Sequence, residues 1–328
     1  MKDFCVLGSG IAGSLIGNKL SKKYSVEVFD KARGIGGRSS NRRYIKNMSF
    51  DHGLQYFSPK TNIFNNFLTK LLKEKKLKLW DGIHLDFGFK KNSTKYVGIK
   101  SNNVISKYLL KKIKNKCSAK IIKIKFNSNH WIVTLNNNKK INFKNIIFTC
   151  PFPQVKILAK KYLKKNILKL NVKMSPNITV MVAYKNFNEI PISSIKFNDE
   201  IISWASNENS KKRFKSKINL WTIQTNMIWS KKYINKYKVN QIKLSNLVLK
   251  RFEKIVGIDS NKRCFEDIHG WKFAFNYKKT NLSSYWDSKL GIGICGDWFL
   301  GPKAEDAFLS ANNLYGKIKK NPLKNKRV

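Results

Sequence analysis

Acidic residues are scarce in this sequence: 19 Asp and Glu stand against 66 Lys and Arg among 328 residues, which leaves a formal net charge of +47. Arginine is scarce too, because only 8 of the 66 basic residues are Arg. Proteins that read DNA bases or clamp phosphates in bidentate fashion rely on Arg more than on Lys. The lysines are also spread along the whole chain. We interpret the charge as compositional drift over an ordinary fold, and we do not expect specific nucleic-acid binding.

Long apolar runs and paired cysteines are missing as well. The longest apolar stretches, such as residues 145–153, are much shorter than the roughly 20 residues of a membrane-spanning helix. The 5 cysteines are scattered and include no Cys-x-x-Cys pair, which argues against a disulfide framework and a metal site. The apolar stretch before Gly8 is too short for a secretory signal. We therefore expect a cytoplasmic protein without a metal or a membrane segment.

The sequence does contain enough apolar residues for a large core. They make up 42% of the chain, and aromatic residues make up 12%, including 8 Trp and 21 Phe. A chain of this size buries roughly three quarters of the surface that its unfolded form exposes. This composition excludes a disordered chain and predicts one large domain or two ordinary ones.

The first thirty residues predict a strand, a glycine turn, a helix and a second strand. In the turn, Gly8 allows the tight bend, Gly10 allows close approach of a diphosphate, and Gly13 allows helix and strand to pack closely. A diphosphate there would lie on the helix N-terminus, where free N–H groups favour negative charge. Asp30 ends the second strand and is placed to accept hydrogen bonds from a ribose. This arrangement predicts a dinucleotide-binding unit.

A second glycine loop follows at residues 31–40 and contains Gly36, Gly37 and Arg38. A domain that binds only NAD does not need this loop, whereas in flavoproteins it lies along the FAD diphosphate, with its Arg adding a charge-assisted contact. Residues 51–57 then read Asp-His-Gly-Leu-Gln-Tyr-Phe. Together these segments resemble the glutathione-reductase-type flavoproteins of the amine oxidase superfamily, and most closely the renalase-like FAD-dependent oxidoreductases.

The C-terminal segment carries the same resemblance. Residues 290–295 predict a buried strand that ends in Gly296 and Asp297, and apolar residues at helical spacing predict a helix over 304–320. The resemblance implies that Asp297 binds the ribityl chain and that the helix N-terminus points at the flavin ring. Relatives usually have glycine at the positions of Asp306 and Ala311.

The middle of the chain predicts two groups of strands. Apolar and polar residues alternate at 120–126, 130–135 and 140–146, which predicts a β-meander of three strands. Residues 145–150 predict a separate buried strand. A further set of antiparallel strands is predicted at 177–184, 201–205 and 219–225.

The predicted fold class is α/β, with a Rossmann-like FAD-binding domain assembled from discontinuous segments and an α+β substrate domain built on an antiparallel sheet. The FAD-binding domain is expected to comprise residues 1–60, 100–154 and 286–328. The substrate domain is expected to comprise residues 61–99 and 155–285.

The resemblance also implies the residues that surround FAD. His52 has no proton-transfer role that follows from its sequence context, and no catalytic residue is identified. The flavin-facing candidates are His52, Gln55, Tyr56, Gln224, Trp271 and Phe273. The cofactor-binding candidates are Gly8, Gly10, Ile11, Ala12, Gly13, Asp30, Lys31, Gly37, Arg38, Ile121, Gly296, Asp297 and Ala307.

The activity implied by the resemblance is that of an oxidoreductase acting on a small molecule. FAD would take a hydride from a reduced donor of the amine or dihydronicotinamide type, with oxygen as the acceptor. No acid–base pair stands out among the residues, which fits a donor that is already activated. The alternative is a flavin-binding protein without turnover, associated with nucleic acid through its basic surface.

Overall fold

A computed structural model describes residues 1–45, 47–91, 93–185 and 190–321. Its helices, in chain order, are α1 (Ile11–Leu20), α2 (Asn62–Lys73), α3 (Val104–Leu110), α4 (Phe152–Ala159), α5 (Lys165–Leu168), α6 (Met227–Tyr233), α7 (Gln241–Val256) and α8 (Ala304–Lys320). Its strands are β1 (Lys2–Leu7), β2 (Val26–Phe29), β3 (Arg42–Arg43), β4 (Ser49–Phe50), β5 (Leu77–Leu79), β6 (Ile83–Asp86), β7 (Phe89–Lys90), β8 (Tyr96–Gly98), β9 (Lys114–Lys116), β10 (Ile121–Asn127), β11 (His130–Leu135), β12 (Lys140–Phe148), β13 (Ser175–Tyr184), β14 (Ile192–Lys196), β15 (Ile202–Asn207), β16 (Asn219–Thr225), β17 (Arg263–Phe275), β18 (Tyr285–Asp287) and β19 (Ile292–Ile294).

The first sheet has a parallel centre. β1 lies between β12 and β2, β9 extends the sheet beyond β2, and β19 pairs with β12, all in parallel. β11 pairs antiparallel with the first half of β12, and β10 pairs antiparallel with β11 at the edge of the sheet. Buried, mostly apolar strands such as residues 4–7 of β1 are typical of a parallel sheet that is covered on both faces. The α/β class and the first strand–helix–strand unit are therefore confirmed.

The prediction of two separate strands around residue 145 is wrong. β12 is one continuous strand whose first half, up to Phe143, pairs antiparallel with β11. Its second half, from Phe143 to Phe148, pairs in parallel with β1. The alternating pattern therefore becomes a fully buried one within a single strand, because the second half enters the covered centre of the sheet.

Helices cover both faces of this sheet. On one face α1 packs against α3 and α8, with Ile16, Leu110 and Leu314 in one apolar cluster. On the other face Val155 of α4 joins Trp131 and Phe148 in a second cluster. Within the described ranges, no helix combines the length and the apolar character needed to cross a membrane.

The second sheet is largely antiparallel and has the strand order β17-β13-β16-β15-β14-β6-β7. Its one parallel pair among the described strands is β14–β6. α7 and α6 cover one of its faces. There, Phe252 of α7 and Trp229 of α6 share an apolar cluster with the buried Trp221 of β16. β17, which has 13 residues, lies outside the predicted strands because polar residues such as Glu266 and Asp267 interrupt its apolar pattern. The division of the chain into domains at the predicted boundaries stays a prediction.

The packing of α1 on β1 leads to a first prediction. A methyl group on Gly13 would lie 1.9 Å from the carbonyl oxygen of Gly8 and 2.7 Å from Oγ1 of Thr149. Because backbone atoms cannot move away cheaply, the Gly13→Ala variant should lose about 1–3 kcal/mol of unfolding free energy or more. Urea unfolding followed by circular dichroism measures the loss.

The matched control is Gly316→Ala, inside α8. Apart from its chain neighbours and the backbone of α8 itself, no atom of the described residues lies within 4 Å of a methyl group placed there. This variant should therefore be unchanged or more stable by up to about 1 kcal/mol. Equal stability of the two variants would contradict the close approach at Gly13.

Candidate functional site

One cleft of about 2200 Å³ brings the predicted site residues together. Its walls come from the carboxyl ends of β1, β2 and β12 and from β16 and β17 of the second sheet. Gly13 packs behind the cleft wall instead of lining it. The predicted residues that line the cleft are Gly8, Gly10, Ile11, Ala12, Asp30, Lys31, Gly37, Arg38, His52, Gln55, Tyr56, Ile121, Gln224, Trp271, Phe273, Gly296, Asp297 and Ala307.

Two glycine loops form a narrow cradle at one end of the cleft. A methyl group on Gly37 would lie 3.2 Å from Cα of Gly10, and one on Gly10 would lie 3.8 Å from the carbonyl oxygen of Gly36. Gly36 and Gly37 have φ values of 132° and 53°, which residues other than glycine rarely adopt. α1 begins beside this cradle without a side-chain cap. Bare backbone next to a helix N-terminus suits a diphosphate group, so the residues present fit FAD there.

The Asp30 carboxylate is held by the turn that follows β1. Its Oδ2 accepts hydrogen bonds from the backbone N–H of Ser9, at 2.8 Å, and from the Ser9 hydroxyl, at 2.6 Å. Its Oδ1 accepts a bond from the N–H of Ala32 at 2.9 Å. Oδ1 keeps capacity for a further donor, because it accepts only this one bond whereas Oδ2 already accepts two. Asp30 is therefore a fixed acceptor at the cleft wall.

Arg38 and Asp297 form an ion pair that the sequence does not predict. The guanidinium donates to both carboxylate oxygens at 2.7 and 2.5 Å and also to the carbonyl oxygen of Ala274, at 2.8 Å. The Asp297 side chain is 7% exposed and that of Arg38 is 29% exposed. The pair joins the second glycine loop to the Gly296 turn, so the two segments meet at one point of the cleft.

Asp306, where relatives usually have glycine, does not enter the cleft. Its Oδ2 accepts the N–H of Lys303 at 2.8 Å and so caps α8. Burial, followed by the nearby negative charge of Asp297, raises the pKa of Asp306. Ala311 is fully buried in the apolar cluster under α8. The side chains that replace glycine at positions 306 and 311 therefore stay out of the cleft.

Two histidines and a tryptophan form an aromatic cluster at the cleft wall, with edge-to-face and tilted contacts. The ring centroids of His52 and His269 are 4.9 Å apart, and that of Trp271 lies 5.1 Å from His52 and 4.4 Å from His269. Burial lowers the pKa of His52 to about 3 and that of His269 to about 4. Both rings are therefore neutral near pH 7, and neither carries a proton as an imidazolium donor.

His269 is absent from the predicted site. It lies in β17 two positions before Trp271 and four before Phe273. Residues at alternate positions of a strand share one face, so extending the strand backward from these aromatic residues would have found it.

The two glutamines serve as structural bridges. Nε2 of Gln224 donates to the carbonyl oxygen of Gly53 at 2.8 Å. Oε1 of Gln55 accepts from the Ser206 hydroxyl at 2.7 Å and from Nζ of Lys211 at 3.3 Å. These bonds tie the loop at residues 51–57 to the second sheet.

A fully buried ionic cluster lies behind that loop. Asp51 accepts bonds from Nζ of Lys211 at 2.9 Å and from Arg213 at 2.5 Å, and Lys211 also donates to Glu208 at 2.9 Å. Burial alone would raise the pKa of Asp51, but the charges of Arg213 and Lys211 outweigh it and hold the pKa below its usual value. The cluster connects residues more than 150 positions apart, so no local pattern in the sequence reveals it.

Comparisons with known proteins agree with this geometry. The sequence profile of the NAD(P)-binding Rossmann-like domain family matches residues 6–71. The structure of a protein assigned as protoporphyrinogen oxidase from Exiguobacterium sp. 255-15 superposes with a TM-score of 0.75 at 10% identity, covering 97% of this chain and 99% of that one. The chain has the fold of that oxidase.

Two further structures share the fold. Wild-type putrescine oxidase bound to putrescine superposes with a TM-score of 0.71 at 11% identity, covering 97% of this chain and 99% of that one. Tetracycline destructase Tet(51) superposes with a TM-score of 0.59 at 11% identity, covering 99% of this chain and 84% of the other. The predicted combination of a Rossmann-like domain with an antiparallel sheet is therefore confirmed.

Proposed function

We propose that the protein is a renalase-like FAD-dependent oxidoreductase. It takes a hydride from a small reduced donor and passes the electrons to oxygen. The observation that carries this proposal is the convergence of two glycine loops, Asp30 and Asp297 on one cleft, in a fold shared with oxidases. Bound FAD supplies the hydride acceptor at N5, and the protein supplies binding, orientation and exclusion of water.

The cofactor would lie along the cleft from the first sheet to the second. Gly10 and Gly37 leave room for its diphosphate, with Arg38 as the nearby positive charge, and Asp30 accepts from the adenosine ribose. Ile121 lies beyond Asp30, where the adenine would reach. Beside Gly296, Asp297 accepts from the ribityl chain. The first turn of α8, which includes Ala307, would then favour negative charge on the flavin ring.

The cleft is long enough for a dinucleotide and a second small molecule, because it extends from Ile121, past Asp30, to Trp204 and Trp271. The second glycine loop adds a backbone surface that a nicotinamide cofactor alone does not need.

Among the described residues on the donor side of the cleft, neither the histidines nor Asp86 is free to act as a base. His52 and His269 are neutral and contact Trp271, and the carboxylate of Asp86 is paired with two lysines. Such a site can orient a donor, but these three groups do not activate one. A donor of the amine or dihydronicotinamide type, which releases hydride readily, fits this arrangement.

A second prediction concerns the two carboxylates. If Asp30 and Asp297 each accept a hydrogen bond from FAD, replacing either by Ala removes about 1.5–3 kcal/mol. FAD binding should weaken by roughly tenfold to a hundredfold in each variant. The effects should be nearly additive, because the two groups contact different parts of the cofactor. FAD dissociation, followed by recovery of flavin fluorescence, measures the change.

Asp259→Ala is the control for this experiment. Asp259 is exposed, caps a short turn by accepting the N–H of Asn261 at 2.9 Å, and does not line the cleft. Its variant should bind FAD as the unchanged protein does. Unaltered FAD affinity in a folded Asp297→Ala variant would mean that the Gly296 turn does not hold the cofactor.

A third prediction concerns turnover. Under anaerobic conditions, a donor of the proposed kind should bleach the flavin absorbance near 450 nm, and admitting oxygen should restore it with formation of peroxide. Dihydropyridine nucleotides and amines are mixed separately with the FAD-loaded protein. If no donor bleaches a protein that binds FAD, the alternative of a flavin-binding protein without turnover is supported instead.

A further inference from the structure

A buried lysine without a carboxylate partner lies at the donor end of the cleft. Lys95 lines the cleft and is 5% exposed. Its Nζ donates to the Ser93 hydroxyl at 2.6 Å and lies 5.5 Å from the centre of the Tyr56 ring. No ion pair joins Lys95 to an acidic residue in the part of the chain that the structure describes. A buried ammonium group without a counter-ion is costly, and an anionic ligand would remove that cost.

The backbone holds Lys95 in this position. Its carbonyl oxygen accepts the N–H of Trp80 at 2.8 Å, and the next residue, Tyr96, exchanges two backbone bonds of 2.8 Å with Phe57. The pairing is antiparallel, so Lys95 and Tyr56 lie diagonally across from each other on one face, which allows the 5.5 Å approach of Nζ to the ring centre. The side chain is therefore part of a built wall and not a mobile surface lysine.

The surrounding charges are positive as well. Asp86, the acidic residue lining this part of the cleft, is shared by Lys91 at 2.8 Å and Lys196 at 3.3 Å. Together with Lys95, three lysines therefore surround the single carboxylate of Asp86 in this part of the cleft. A cationic amine would enter a positive field here, whereas an anion would be attracted.

His84 adds no charge to this part of the cleft. Its Nε2 lies 3.1 Å from the carbonyl oxygen of Trp80, which can only accept, so the ring proton is on Nε2. Its Nδ1 then accepts from the Ser194 hydroxyl at 2.8 Å. Burial lowers the pKa of His84. The ring is therefore neutral and already bonded on both sides.

Aromatic rings complete the wall. Tyr56 and Trp204 line the cleft with ring centroids 5.7 Å apart, and Trp80, which does not line it, lies 6.0 Å from Tyr56. The indole N–H of Trp204 has no hydrogen-bond partner among the described residues. These flat apolar surfaces suit a planar group on the same ligand that carries the anion.

We propose that Lys95 is the anion-binding residue of the donor subsite, and that the donor joins a planar group to a carboxylate or a phosphate. This inference rests on the proposed function and narrows its donor class, since it disfavours simple cationic amines. Burial, followed by the charge of Lys91, lowers the pKa of Lys95 and outweighs the attraction of the more distant Asp86 carboxylate; a bound anion would act in the same direction as Asp86.

The test compares four small probes by isothermal titration calorimetry with the protein as purified. Benzoate and phenyl phosphate are anionic, benzamide is neutral and benzylamine is cationic. At least one anionic probe should bind about tenfold or more tightly than benzamide and benzylamine, the ratio expected for one charge-assisted bond. The preferred anion distinguishes a carboxylate donor from a phosphate donor.

Two variants locate the effect. Lys95→Met should weaken binding of the preferred anion by about tenfold or more and leave benzamide binding unchanged. Lys90→Met, at an exposed position of β7 that does not line the cleft, should change neither affinity. Both variants are checked for folding by circular dichroism.

The proposal is overturned if benzylamine binds as tightly as the anions, if neither anion binds, or if folded Lys95→Met keeps the full affinity. The probe comparison on the unchanged protein can overturn the proposal even if the variant does not fold. Failure of the proposed function has a different signature, because it would appear as absence of FAD and is measured separately.

Discussion

The close contact between α1 and β1 is the constraint on which the rest of the site depends. With no side chain at Gly13, the helix lies against the carbonyl oxygen of Gly8, and its uncapped N-terminus stands at the carboxyl edge of the parallel sheet. The backbone of Gly37 can then approach Gly10 and leave a cradle bounded by main chain. This geometry suits a diphosphate, because backbone N–H groups and the helix dipole act only at short range.

The buried ionic cluster makes the other half of the cleft rigid. Asp51 is held by Lys211 and Arg213, and Glu208 completes the charge balance. Such a cluster is stable only while every member is present, since one unpaired charge at this depth costs several kcal/mol. It therefore fixes the loop that carries Gln55 and Tyr56 against the second sheet, and with it the wall where the donor would bind.

The sequence predicts those parts of the site that are encoded locally. The turn with Gly10, the second glycine loop and the Gly296–Asp297 turn are short segments in which each residue type has its own steric or charge requirement. Lys95 was missed because its role arises from contacts between distant segments, and His269 was missed because β17 lies outside the predicted strands. β12 was divided wrongly because one strand passes from an exposed antiparallel edge into the buried centre, and the change of pattern resembles a strand boundary.

The identity of the tightly bound cofactor tests the central claim most directly. The purified protein is precipitated with heat or acid, and the supernatant is analysed by absorbance and chromatography. We expect stoichiometric FAD in the supernatant, because burial raises the pKa of the cleft thiol Cys150 to about 12 and leaves it unreactive toward the ring. A colourless protein that retains NAD would contradict the flavin site, and flavin that stays in the pellet would contradict non-covalent binding.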